Sequence, residues 1–391
     1  MAVSVLGGAT RSQLAARSGL ARSTVSARVR ELVDAGLLVP AGRARSTGGR
    51  RAAGLAFAPG AGLVLAIELG STHFHWQLCR LSQEVVAGAE GACEIGRGAG
   101  DVLGRVFAGV DEALGTAGGQ EGPLRACAMG FPGPVDFLRQ RSSGPPHTAG
   151  WDEAPLSELV GSRAGGVPVL VDNDANVMAL GEHRAAWEAE GVHNLLFVKY
   201  GTGIGCGVVA DGRLLRGAGG TAGEVGHMHV AGAASEELCS CGADNCLEVL
   251  AGGRALVRRM RAEGYDVSTA AEVARLVQAG DAVATNAVRD AGRVLGELMS
   301  GIVNFVNPAV IVTGGSIGGL GDALLTGLRE TVYAQATMFS TRDLRIVPSR
   351  LGRDAGPRGA ALLALELAFD AALSHTAMAG GTGPAAGKGA K

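Results

Sequence analysis

Long apolar runs are missing from this chain, and so is any large excess of charge. No stretch approaches the roughly 20 uncharged residues that a membrane-spanning helix needs, so no span and no membrane partner are expected. Net charge is −2 over 391 residues, which argues against a chain built throughout to hold a polyanion. The first residues lack the basic start and apolar core of a signal peptide. Of the 7 cysteines, Cys79, Cys93, Cys127 and Cys206 stand singly among apolar residues. That usage excludes a disulfide scaffold and fits a reducing, cytoplasmic location. Lysine is scarce beside arginine and glycine reaches 64; both biases are read as base composition rather than function. What remains is a chain with 47% apolar residues, long enough for two or three domains with large cores.

The small net charge hides an asymmetry. Residues 1–54 hold nine arginines against Glu31 and Asp34, a balance of +7, so the remainder carries −9. A basic N-terminal segment on an acidic body points to nucleic acid. The local pattern agrees. Thr10 or Ser12 can cap a short helix carrying Leu14, Ala15 and Ala16, which Gly19 ends. Ser23 and Thr24 open a second helix with Val25, Val29 and Leu32 on one face, and Gly36 ends it. Leu37–Val39 and Leu55–Phe57 read as the two strands of a wing around a basic tip, 43–51. Arg22, Ser23, Thr24, Ser26 and Arg28 on the outer face of the second helix suit a major groove, with Arg43, Arg45, Arg50 and Arg51 in the wing on phosphates. Domains of this kind usually open with a further helix. Only nine residues precede the first one placed here, so the domain is expected to be trimmed or to begin upstream of Met1.

The densest chemistry lies at 224–248. Cys239, Cys241 and Cys246 form a C-x-C-x4-C cluster with His227 upstream and Glu224 and Glu248 on its flanks. Three soft thiolates and one imidazole suit a closed, tetrahedral, structural zinc site. His229 stands two residues on, and spacing leaves it open as the nitrogen ligand.

Between these regions the pattern is α/β. Pro59–Gly62 reads as a linker. Buried strands are expected at 63–69 and 126–130, and further strands at 75–81, 167–172, 195–200, 205–210 and 310–312. Helices are expected at 100–116, 176–190, 254–263, 268–279, 281–306 and 359–373, followed by a disordered tail. Strands running into glycine turns and alternating with helices give an α/β architecture.

The stretch 224–248 resembles the G-E-x-G-H … C-x-C-G-x-x-G-C-x-E signature of the ROK family of sugar kinases and sugar-responsive repressors. The N-terminal segment is similar to the winged helix-turn-helix of ROK-type regulators. Together the resemblance spans about residues 10–370. It implies a two-lobed, actin-like, hexokinase-type fold. The expected domains are a winged helix-turn-helix at 1–58, a linker at 59–62, lobe 1 at 63–172 completed by helix 355–373, lobe 2 at 173–354 with the zinc knot, and a tail at 374–391. The resemblance assigns a sugar pocket to Gly133, Asn173, Asp174, Glu224, His227 and Glu248, with Asp136 in the loop that skirts the sugar. His227 would hold zinc through one ring nitrogen and a hydroxyl through the other. Phosphate loops would be Glu68, Gly70 and Thr72, then Gly201, Thr202, Gly203 and Gly205; Gly314 and Gly315 would lie on the adenosine side.

Two departures matter. Family kinases carry Asp where this chain has Glu68, and often Asn where it has His147. One extra methylene moves a carboxylate by about 1 Å, enough to cost phosphoryl transfer on the order of a hundredfold. The expected function is therefore a sugar-responsive DNA-binding regulator, a repressor of carbohydrate genes, with operator DNA and a sugar or sugar phosphate as partners. It would be a homodimer or dimer of dimers. The alternative is an ATP- and Mg-dependent, glucokinase-type kinase of a hexose or N-acetylhexosamine with Asp174 as general base.

Overall fold

The computed structural model describes residues 9–43, 53–143, 150–232, 235, 237–315 and 322–380. The expected wing-tip residues Arg45, Arg50 and Arg51, and His147, lie outside these. Two helices come first, α1 (Arg11–Ser18) and α2 (Arg22–Asp34), then the antiparallel pair β1 (Leu38–Arg43) and β2 (Ala53–Phe57). Thr10 caps α1 in a reciprocal capping box with Gln13, and Gly19 ends it in the left-handed region. The second helix begins at Arg22, one residue before the expected start and without a side-chain cap. Leu14, Ala15, Val25, Val29 and Leu55 close a small core of their own.

The body starts with β3 (Leu63–Leu69), β4 (His73–Arg80), β5 (Val85–Ala92), α3 (Ala99–Glu121) and β6 (Leu124–Phe131). A short hairpin, β7 (Val135–Asp136) and β8 (Arg141–Ser142), precedes α4 (Leu156–Arg163), β9 (Val169–Asn173) and α5 (Asp174–Glu182). The helix expected over 176–190 stops at Glu182 and continues as a wide turn to Trp187 and a tight one to Glu190. The second half follows with β10 (Leu195–Tyr200), β11 (Ile204–Ala210) and β12 (Arg213–Leu215). Then come α6 (Leu247–Ala251), α7 (Gly253–Ala262), α8 (Ala270–Gln278), α9 (Ala282–Val306) and β13 (Val310–Gly314). The chain closes with α10 (Asp322–Gln335), α11 (Met338–Thr341), β14 (Arg345–Pro348) and α12 (Ala355–Gly380). That last helix starts at Ala355 and runs past the expected end at 373. Residues 374–380 are its final turns, since alanine favours helix more strongly than the composition of a tail suggested.

Two five-stranded sheets carry the same topology. Their orders are β5-β4-β3-β6-β9 and β12-β11-β10-β13-β14. In each, the first strand of the half lies centrally, pairs antiparallel with the second and parallel with the fourth. This duplication is the two-lobed, actin-like α/β fold that the resemblance implies. The helices cross between the halves: α5, which follows the first sheet, packs on β10 and β11, while α12, which follows the second, packs on β3 and β6. α5 and α12 also pack on each other, so the seam between the lobes is two helices thick.

Candidate functional site

The geometry of the cleft follows from strand alternation. Along β10, Leu196, Val198 and Tyr200 face the core around α9, while Leu195 and Phe197 face α5. Lys199 continues the second face, so its side chain runs toward the start of α5. Its ammonium donates to Asp174, the first residue of that helix. The neighbours of Lys199 across the sheet are Gly205 and Gly314, which leave room for it. In β3 the equivalent position, the last residue but one before the glycine turn, is Glu68. Glu68 is 4% exposed and packs on the first turn of α12. A Cβ on Gly356 would sit 2.4 Å from its carboxyl carbon, so any larger residue there would force the Glu68 carboxyl to move. Burial and the nearby Asp174 push the Glu68 carboxyl up to about 7, against the pull of Lys199 and Arg353.

Asn173 caps α5: its side-chain oxygen accepts from the N–H of Ala175 and Asn176, and its amide donates to the Gly133 carbonyl at 3.0 Å. Much of the hydrogen bonding expected to face a sugar is thus spent on holding the helix start. Asp174, freed from capping, is buried and takes the ammonium of Lys199 instead. Asp172, two residues before Asp174, accepts from Asn173 N–H and the Asn176 side chain, and pairs with Arg216 at 2.7 Å. Arg216 stacks on Phe137 with its guanidinium 3.9 Å from the ring centre. Asp136 ties its own loop through Leu138 and Arg139 rather than facing the cleft.

Glu224 and Glu248 close the other side. Burial, with Asp174 and Glu248 nearby, pushes Glu224 up to about 7. Glu248 accepts from the Ile204 N–H at 3.3 Å and lies against Gly203, where a Cβ would overlap its carboxylate. The second glycine loop and the start of α6 therefore meet at one carboxylate. Between the lobes a cavity of ≈ 330 Å³ is lined in part by Glu68, Thr72, His73, Glu90, Gly315 and Arg353. Arg353 reaches Glu90 at 3.3 Å across the cleft, and burial followed by Lys199 holds the His73 imidazole below its usual range.

His227, Cys239, Cys241 and Cys246 place their ligand atoms within 4.8 Å of one another. His227 Nδ1 lies 3.3 Å from Cys239 Sγ, and its Nε2 faces Glu224 at 4.0 Å. Cys241 and Cys246 sulfurs are 3.6 Å apart and unbonded. Tetrahedral zinc with bonds of about 2.3 Å needs sulfurs about 3.8 Å apart, so the donor set fits a metal of that kind. His229 instead faces Asp244, outside the cluster. Asn245 has φ 49°, in the left-handed region, and accepts from the Ser235 N–H.

On the winged domain Arg22, Ser23, Thr24 and Arg28 are exposed on one side of α2 and Ser26 is half-buried, opposite buried Val25 and Val29. Arg28 pairs with Glu31 at 2.9 Å. Lys199, Arg216 and Arg353 were not among the residues expected at the site. Only Lys199 left a trace in the sequence, as a lone charge in an apolar strand beside a glycine turn.

The ROK family model matches residues 64–367, and a winged helix-turn-helix DNA-binding model matches 7–39. The chain belongs to the ROK family. It is 28% identical over 357 residues to the xylose repressor of Caldicellulosiruptor bescii, with 88% of each chain covered. A ROK family transcriptional regulator described as a homolog of the E. coli MLC protein superposes with TM-score 0.78 at 26% identity, covering 96% of both chains. A ROK family glucokinase from Streptomyces griseus, in complex with glucose and AMPPNP, superposes with TM-score 0.65 at 27% identity. It covers 78% of this chain and 100% of its own. ROK relatives thus include regulators that match end to end and kinases that match the body alone.

Proposed function

We propose that this chain is a sugar-responsive, DNA-binding transcriptional repressor whose ROK body takes a sugar as effector. The observation that carries the reading is the seam between winged domain and body. Phe57 stacks on Phe369 of α12 with ring centres 6.0 Å apart, and Leu37 belongs to the same core as Leu362 to Leu365. The other end of α12 lies on Glu68 in the cleft. One helix therefore touches both the winged domain and the cleft, about 20 Å apart at 1.5 Å per residue. Closure of the lobes on a sugar would move α12, and with it the placing of α2 on DNA. A coupling of about 1–3 kcal/mol is enough for a useful switch.

The sugar would be held by Asp174, Glu224, His227 and Glu248, with Asn173 and Gly133 shaping the loop beneath it. His227 Nδ1 and the thiolates of Cys239, Cys241 and Cys246 would hold one structural zinc, which fixes the ring so that Nε2 faces Glu224. Operator contacts would come from Arg22, Ser23, Thr24, Ser26 and Arg28, with Arg43 and the wing on phosphates. A palindromic operator and a homodimer are the natural arrangement for such a domain, and the cytoplasm its natural location.

The similarity to glucokinases and the start of α5 at Asp174 support a second reading, an ATP-dependent sugar kinase with Asp174 as general base. Against it stand the ammonium already bonded to Asp174 and the glutamate at 68. Two experiments on the full chain decide between the readings. A gel shift on the gene's own upstream region, with and without sugars, is expected to show binding that a sugar relieves. A coupled ADP-release assay over hexoses and N-acetylhexosamines is expected to show little or no turnover. Turnover at about 1–100 per second, typical of kinases, without a gel shift would replace the first reading by the second.

A further inference from the structure

Lys199, Lys388 and Lys391 are the only lysines in the chain. Among the described residues Lys199 is thus the one ammonium, a charge set inside an otherwise apolar strand. Lys199 is 19% exposed and its partner Asp174 is 4% exposed. The two other carboxylate-bound cations here are also matched: Arg216 with Asp172 and Arg353 with Glu90. Among the described residues, Glu68 and Glu248 have no direct ion pair. The group around Asp174 is therefore acidic overall, with its cations already spent.

Acidic clefts of this kind ordinarily recruit a divalent metal, which here would need Asp174 and its neighbour Glu68. The ammonium of Lys199 fills that role from within the chain. One N–H is spent on Asp174, and two more remain for acceptor oxygens of a ligand. A phosphate dianion brought to Lys199 would find the ammonium already paired with Asp174 and two more carboxyl groups, Glu68 and Glu224, acting on the same pair. A neutral polyol meets donors and acceptors only.

We infer that Lys199 is the specificity-determining residue of the cleft, a tethered cation that keeps divalent metal away from Asp174 and makes the site one for an uncharged, unphosphorylated sugar. The ligand class rests on the sugar-effector reading above; the exclusion of metal does not.

Two arms test it on the full-length, zinc-loaded protein. In the first, free Mn²⁺ is titrated and followed by its electron paramagnetic resonance signal. Lys199→Met is expected to bind Mn²⁺ at least tenfold more tightly than wild type. That gain should vanish in Lys199→Met with Asp174→Asn, whereas Lys199→Arg should resemble wild type. Equal Mn²⁺ affinity in wild type and a folded Lys199→Met overturns the proposal. So does Mn²⁺ binding by wild type that Asp174→Asn abolishes, an outcome readable even where the lysine variants fail to fold. In the second arm wild type is titrated calorimetrically with D-xylose, D-glucose, N-acetyl-D-glucosamine and the 6-phosphates of the two hexoses. A neutral sugar is expected to bind at least tenfold more tightly than any phosphate. Tighter binding of a phosphate sinks the ligand class while leaving a sugar-responsive protein. If no member of either kind binds, the sugar-effector reading and the ligand class fall together, and the Mn²⁺ arm alone judges Lys199.

Discussion

The two halves of the body are built alike but carry charges of opposite sign at one equivalent position, near the end of the central strand. Each begins with a central strand that runs into a glycine turn, Glu68-Leu69-Gly70 in one and Lys199-Tyr200-Gly201 in the other. Each strand ends beside a parallel neighbour that presents glycine, Gly130 or Gly314, opposite the charged residue. Each charged residue is met by the first turn of the helix that crosses from the other half. Where Glu68 meets α12 the residue is Gly356, which leaves room for the carboxyl, and burial there favours the protonated form. So Glu68 can lie directly on the backbone of α12. A lysine at the same place on α5 is unfavourable unless an acid intervenes, and Asp174 does so. The difference teaches why one half needs a glycine at its helix start and the other an aspartate.

Breaking the metal knot should have the largest effect. Cys241→Ser is expected to lose metal and to lower the stability of the second lobe by several kcal/mol, since metal binding of this kind is folding energy. Metal content by mass spectrometry and a melting curve check it; full metal with unchanged melting would remove the Cys3His assignment.

Next is the charge pair itself. Lys199→Met leaves Asp174 buried without its partner, an expected loss of about 3 kcal/mol in denaturant unfolding. Adding Asp174→Asn should restore most of it. Equal losses in single and double variants would mean that the pair contributes nothing as a pair.

The opposite half should respond in the opposite sense. Glu68 has its carboxyl raised from 4.5 to about 7 by burial. The folded state then holds the proton more firmly than the unfolded one between those values. Stability is lost as pH rises from 4.5 through 7, and no further loss follows above that. Glu68→Gln removes the penalty, so it should be more stable than wild type at pH 8, by about 3 kcal/mol at most. The gain should shrink toward zero near pH 4.5. A gain that is flat with pH would separate Glu68 from this titration.

Smaller still is the seam. Phe369→Ala should cost about 1 kcal/mol of stacking and leave sugar binding intact while weakening sugar-induced release of DNA. Smallest is Arg22→Ala on the exposed face of α2. It should lower the slope of log affinity against log salt by about one, the loss of one phosphate contact.

Much of this was legible in the sequence, and the parts that were not share a cause. The metal cluster was readable because three of its four ligands lie within eight residues. Strands such as Leu63–Leu69 and helices such as Ala282–Val306 were readable because their apolar periodicity is strong. The edge strand Val85–Ala92 was missed because it is largely exposed and rich in alanine and glycine, with no alternation to detect. β14 is only four residues long. At the site, Asp174 was found because it sits in a motif. Its partner Lys199 is 25 residues away, Arg216 lies 44 from Asp172, and Arg353 lies 263 from Glu90. Pairings of that reach are made by the duplicated topology, and nothing local announces them.

The central claim is that the cleft and the DNA-binding domain act as one unit through α12, with a sugar as the signal. Fluorescence anisotropy of the full-length protein on its own upstream DNA, titrated with sugars, tests this most directly. The account predicts tight, salt-dependent binding that one uncharged sugar weakens about tenfold or more, an effect lost in Asp174→Ala. DNA binding that no sugar alters, or no DNA binding beside rapid sugar phosphorylation, would contradict it.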